Sequence, residues 1–132
     1  MSELKVGTFP VSYEVSTGAL GAPNLKLDLI VTTPTKKVSG NASVTQAVNP
    51  PFEEHVPVTG NFTYMTVMPK NTHILVNVAS PILVRDASVF AATLVLEDNW
   101  SSGVCNFTFL GPQGKWVEIR DAKVRQVELT EA

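Results

Sequence analysis

The chain has two histidines, His55 and His73, and theirs are the only side chains whose unperturbed pKa lies near neutrality. His55 follows Glu53 and Glu54, so one imidazole and two carboxylates adjoin, a donor set that suits a divalent cation. Three consecutive side chains rarely converge on one ion. The plainer expectation is a solvated acidic loop in a Pro-rich stretch. His73 opens a β-patterned run and reads as a surface residue at a strand edge. If the fold joined His55 to His73, a metal site or an acid–base pair would result. A small barrel enzyme using His55 or His73, either one in a pocket beside a carboxylate, is the third functional class.

Other chemistry is sparse. Cys105 is the only cysteine, so no intrachain disulfide forms, and its place in an apolar alternation marks it as a core thiol. Gly111-Pro112-Gln113-Gly114-Lys115 resembles a fragment of a phosphate-binding loop. The β-like run Trp116–Ile119 follows it where such a loop needs a helix, so it is expected to be a hairpin turn. There is no nucleophile elbow and no paired-Cys or paired-His metal motif. No cofactor is expected, and His55 and His73 are only weak metal candidates.

The aromatics are the remaining candidates for recognition. Phe52 lies between Pro51 and Glu53, and Trp100 lies in a loop beside Asn99. Either could be an exposed anchor for a partner, although packing over a barrel mouth is the plainer role for Trp100. Tyr64 and Trp116 fall within β-patterned runs and could fill or cap an interior. Phe52, Trp100, Tyr64 and Trp116 are therefore the candidate ligand- or partner-binding residues.

The elements that must position these groups repeat with period two. In NLKLDLIVT (24–32), Leu25, Leu27, Leu29 and Val31 share one face, and Lys26 and Asp28 take the other. Similar alternation predicts strands over 4–15, 37–48, 57–67, 72–79, 91–97, 103–110 and 115–128. Gly7–Pro10 is expected to kink or bulge the first strand, and Asp121–Ala122 to bend the last. Residues 80–91 read as a helical turn or loop, with a short strand pair turning at Arg85–Asp86 as the alternative. Gly40, Gly60 and Gly103 sit inside β-patterned runs, as bends in a strongly curved sheet would require. Short connections make successive strands antiparallel neighbours. The expectation is one all-β domain over 1–132, with about eight strands in meander order. An up-and-down barrel is favoured, with a β-sandwich as the alternative.

Composition narrows the partners. The 132 residues carry a net charge of −2, which gives no electrostatic reason to expect nucleic acid. No apolar run reaches the length of a membrane-spanning helix, and the first residues carry no signal-peptide pattern. Cytoplasm is the default expectation, and export by a signal-independent route stays open.

Four Asn-x-Ser/Thr triplets stand out, at Asn41, Asn61, Asn99 and Asn106. In Asn41-Ala42-Ser43, Asn61-Phe62-Thr63 and Asn106-Phe107-Thr108, a strand turns the outer residues to solvent and the middle one inward. They mark strand phase, and they predict that Phe62 and Phe107 are buried. The stretch TPTKKVSGNASVTQAVNPP (33–51), followed by GNFTYMTVMP (60–69), resembles an uncharacterised family of small all-β proteins from proteobacteria of the Burkholderia and Pseudomonas kind. That resemblance implies a bacterial source and brings no catalytic residue with it.

The leading functional expectation is a non-enzymatic barrel or sandwich that binds a small apolar ligand or a protein partner. The alternative is a structural or interaction protein acting as a homo-oligomer. It rests on strand four, where Phe62, Tyr64 and Met68 alternate with Met65 and Val67. A barrel packed solid by Phe62, Phe107 and Phe109 would count against an interior ligand.

Overall fold

The period-two pattern becomes strand faces. In the computed structural model, residues 7–19, 21–47, 51–67, 71–84, 87–97, 99–111 and 114–127 are described. The strands are β1 (Thr8–Ser16), β2 (Asn24–Thr32), β3 (Lys37–Gln46), β4 (Phe52–Val67), β5 (Asn71–Ala79), β6 (Leu83–Val84), β7 (Ala87–Ser88), β8 (Phe90–Glu97), β9 (Ser102–Leu110) and β10 (Trp116–Val127). There is no α-helix among the described residues. Along β2, Leu25, Leu27, Leu29 and Val31 are buried, while Lys26 is exposed and Asp28 partly so.

Eight of these strands close into an antiparallel barrel in the order β1-β10-β9-β8-β5-β4-β3-β2. The barrel, not the sandwich, is the outcome. Closure falls between the first and last strands, where Ser12–Ser16 pairs with Lys123–Val127. No barrel strand then keeps an edge along its whole length.

Three inward-facing glycines let the sheet coil. A Cβ at Gly40 would lie 1.9 Å from the Asp28 carbonyl oxygen, one at Gly60 1.8 Å from that of Asn77, and one at Gly103 2.0 Å from that of Val95. The register partners of these glycines are Leu29, Val78 and Leu96. In each case the missing Cβ points at the carbonyl just before the register partner. The backbones of β3, β4 and β9 press against their neighbours there, and no side chain fits.

Several local expectations need correction. The first strand is not bulged: Thr8–Val15 pairs with Leu25–Thr32 without a break, after Gly7 at φ 87°. The last strand does bend, with a register shift between Ile119 and Ala122 and Asp121 at φ 56°. β4 begins at Phe52, five residues before the expected start, so Glu53–His55 is strand and not loop. Phe52–Pro57 pairs only with β3, and β5 joins from Thr59 onward. Proline is tolerated where one side of a strand is free, so Pro57 does not stop the ladder. The stretch after β5 is a two-residue strand pair, Leu83–Val84 with Ala87–Ser88, and not a helical turn. Its proposed turn residues, Arg85 and Asp86, lie outside the described residues. Val89 N–H donates to the Ile82 carbonyl at 3.0 Å, which extends the pairing.

The interior is filled by side chains. Trp100, Tyr13, Phe90, Phe107, Phe109, Leu25, Leu27 and Leu29 are its largest fully buried members. The rings form two clusters. Phe62 meets Trp100 and Tyr64 edge-on at 5.0 and 5.6 Å, and Phe9 meets Trp100 at 5.5 Å. Phe109 stacks on Phe107 at 6.0 Å, with Phe52 and Phe90 beyond. Phe62 and Phe107 are buried, and Asn61, Thr63 and Asn106 are exposed, as the strand phase of the Asn-x-Thr triplets predicts.

Candidate functional site

An apolar interior leaves the polar chemistry on the outside of the barrel. Register places one outward side chain from each of five neighbouring strands in a row. Arg125 of β10 pairs with Glu14 of β1, Glu14 with Lys26 of β2, Lys26 with Ser43 of β3, and Ser43 with His55 of β4. Directly opposed residues in adjacent antiparallel strands have Cβ atoms about 5 Å apart, so each member can reach the next. The row floors a groove of about 760 Å3 whose walls include Asp28, Thr45 and Glu53. This volume lies in the range of small-molecule sites, roughly 300–1,000 Å3.

Most charges in the groove already have partners. Arg125 forms an ion pair with Glu14, and Ser12 donates to Asp28 at 2.6 Å. His55 joins two strands: its Nδ1 lies 2.8 Å from Ser43 Oγ and its Nε2 2.6 Å from Glu53 Oε1. A carboxylate can only accept, so Nε2 carries the hydrogen. In the neutral imidazole Nδ1 is then left to accept the Ser43 hydroxyl. Lys26 forms no ion pair among the described residues and is the cation of the groove still open to an incoming anion.

The placements of the residues singled out from sequence differ. Glu53 and His55 share the outer face of β4, while Glu54 alternates to the other face, so the three do not converge. His73 pairs with Met65, ten residues past His55 on β4 and roughly 33 Å along the strand, so the two histidines do not meet. No group of three or more metal-binding side chains occurs among the described residues.

The four aromatics divide between the barrel ends. Trp100 is fully buried in the β8–β9 turn and plugs one end, so packing over the mouth is the role its burial supports. Tyr64 is half-buried in the same cluster, in contact with Phe62. Phe52 is half-buried at the other end against Phe109, where Trp116 is 47 % exposed at the start of β10. Sequence reasoning left out Ser43 and Lys26. Their outward phase is readable from the strand pattern, but their alignment with His55 depends on register.

A second concavity of about 490 Å3 lies over β4, β5, β8 and β9, above the small residues Gly60, Ala79 and Ala91. Glu118 is its one ionisable lining residue among those described. Nearby on the outer face, Leu75, Val95 and Val104 pair in sequence across β5, β8 and β9. Val104 is 47 % exposed. Of strand four's apolar residues expected opposite Phe62 and Tyr64, Met65 is half-buried and the side chain of Val67 lies outside the described residues, as does Met68, expected on the Phe62 face.

Among the described residues no helix is long and apolar enough to cross a membrane. On the barrel wall Lys26, Glu14 and Arg125 face outward, alongside the aliphatic Ile30 and Val104.

No curated protein matches the chain. The model of a family described as a domain of unknown function, DUF1842, matches residues 6–116, which span β1 to β9 and the first residue of β10. The chain thus belongs to the DUF1842 family.

Proposed function

We propose that the protein is a binding domain that works with the outside of a filled barrel and holds a small polar ligand bearing a carboxylate or similar anion. The carrying observation is the groove over β10 and β1–β4, where Lys26 is the cation without an ion pair among the described residues, in a row of partnered groups. An outer site is favoured over an interior one because Phe62, Phe107 and Phe109 are all buried in the interior. Amide shift mapping with succinate tests this. Saturable shifts are expected at Lys26, Ser43 and Thr45 and should be lost in Lys26→Gln. Shifts that do not saturate, or that survive this substitution, overturn it.

A second reading, self-association, draws on the aliphatic row Leu75, Val95 and Val104. A second copy is the occupant it commits to, since a chain of net charge −2 repels itself little. Light scattering should show a dimer that Val104→Glu dissociates. A monomer at every concentration removes this reading.

A further inference from the structure

We infer that Ser43 is a nucleophile, activated by His55 and Glu53, for acyl transfer from small esters bound in the groove. The inference rests on the groove being a binding site. Ser43 Oγ, His55 and Glu53 form one continuous hydrogen-bonded chain, at 2.8 Å and 2.6 Å. The chain has the order nucleophile, base, orienting carboxylate, the arrangement that makes a serine hydroxyl reactive. In the neutral imidazole Glu53 accepts from Nε2–H, so the Nδ1 lone pair faces the serine hydroxyl. Two strands hold it, because Ser43 and His55 are register partners and Glu53 lies two residues from His55 on the same face. Lys26, the register partner of Ser43 on its other side, brings positive charge to where a carbonyl oxygen becomes anionic.

The chemistry balances with water as co-reactant. The Ser43 Oγ–carbonyl carbon bond forms as the hydroxyl proton passes to His55 Nδ1. The carbonyl oxygen takes the electron pair beside Lys26. Collapse breaks the bond to the leaving alkoxide, which receives the proton from His55. Water then gives a proton to His55 and adds to the acyl carbon. Ser43 leaves with that proton, releasing a carboxylic acid. The net reaction is ester plus water to acid plus alcohol. Lys26, the groove's one cation without an ion pair among the described residues, favours esters whose acyl or alcohol part carries a negative charge.

A fluorophosphonate probe tests the assignment. Ser43 Oγ displaces fluoride and forms an Oγ–P bond, read as a mass gain located by peptide sequencing. The full chain should label at Ser43 and nowhere else. Labelling should vanish in Ser43→Ala and slow about a hundredfold in His55→Asn. Glu53→Gln should slow it about tenfold while leaving the adduct site unchanged. Turnover of p-nitrophenyl acetate must be lost in Ser43→Ala and kept in Thr63→Ala, which alters an exposed residue remote from the groove. Hydrolysis that survives Ser43→Ala is simple imidazole catalysis and overturns the proposal, as does the absence of a Ser43 adduct. Succinate shifts without an adduct overturn the nucleophile and leave the binding groove standing. Loss of both removes the groove as well.

Discussion

The Tyr13 hydroxyl donates a 2.7 Å hydrogen bond to the Trp100 carbonyl oxygen, joining β1 to the β8–β9 turn across 87 positions of sequence. Both residues are fully buried, and Trp100 adopts φ 66°, a conformation non-glycine residues rarely take. The turn is further tied by Trp100 N–H to the Glu97 carbonyl at 3.0 Å. The bond thus anchors the plug at one end of the barrel. Tyr13→Phe keeps the ring and leaves a buried carbonyl without this donor. Urea unfolding should show a loss of about 1–3 kcal/mol with an unchanged m value.

Glycine substitutions should separate crowding from backbone strain. Gly60→Ala places a methyl 1.8 Å from the Asn77 carbonyl oxygen, where backbone and not a pliable side chain must move. The β4–β5 ladder has to part there, so a loss above about 3 kcal/mol is expected. Gly21, at φ 77° with nothing within 4 Å of its missing Cβ, meets only conformational strain. Gly21→Ala should cost about 1 kcal/mol. Equal melting temperatures for the two variants would contradict the close approach.

Strand phase was legible because one face of each strand is buried: the alternation in residues 24–32 and the triplets at Asn61 and Asn106 give the observed inward residues. Register was not, because it is fixed by how far neighbouring strands slide, and a slide of two residues preserves every face. Ser43 and His55 could therefore be assigned an outward face but not a meeting. The start of β4 was hidden by Pro57 and by charges at Glu53 and Glu54, which signal a loop unless one strand edge is free. The inward turn of Trp100 depends on its positive φ and on Tyr13, a contact no local pattern contains.

The triplet at Asn106 should prove to be more than a phase marker. Its side-chain oxygen accepts the Asp121 N–H at 2.8 Å, at the bulge that bends β10. Asn61, exposed on β4, has no such side-chain bond among the described residues. Asn106→Ala should lower stability by about 1 kcal/mol and speed amide exchange at Asp121, while Asn61→Ala stays within about 0.5 kcal/mol. Equal effects at the two positions would show that the bulge holds itself.

Stability should also fall in alkali, through two buried acids. Burial pushes the Cys105 thiol from 9.0 up to about 12 and raises the Tyr13 hydroxyl above its ordinary value. Desolvation disfavours the thiolate and the phenolate, so the folded chain keeps both protons where the unfolded chain has released them. With folded values above unfolded ones, this contribution is complete below pH 9.0. It is lost as pH rises toward about 12 for the thiol, the unfolded state then binding fewer protons than the native state. Above its unfolded pKa each group should remove about 1.4 kcal/mol of stability per pH unit. In Cys105→Ala the cavity lowers stability at neutral pH, but the decline between pH 9.0 and about 12 should be shallower than in the parent chain. Parallel decline in the two proteins would mean that the thiol titrates alike in both states. The native thiol should, by the same argument, resist iodoacetamide at pH 8 and react only after unfolding.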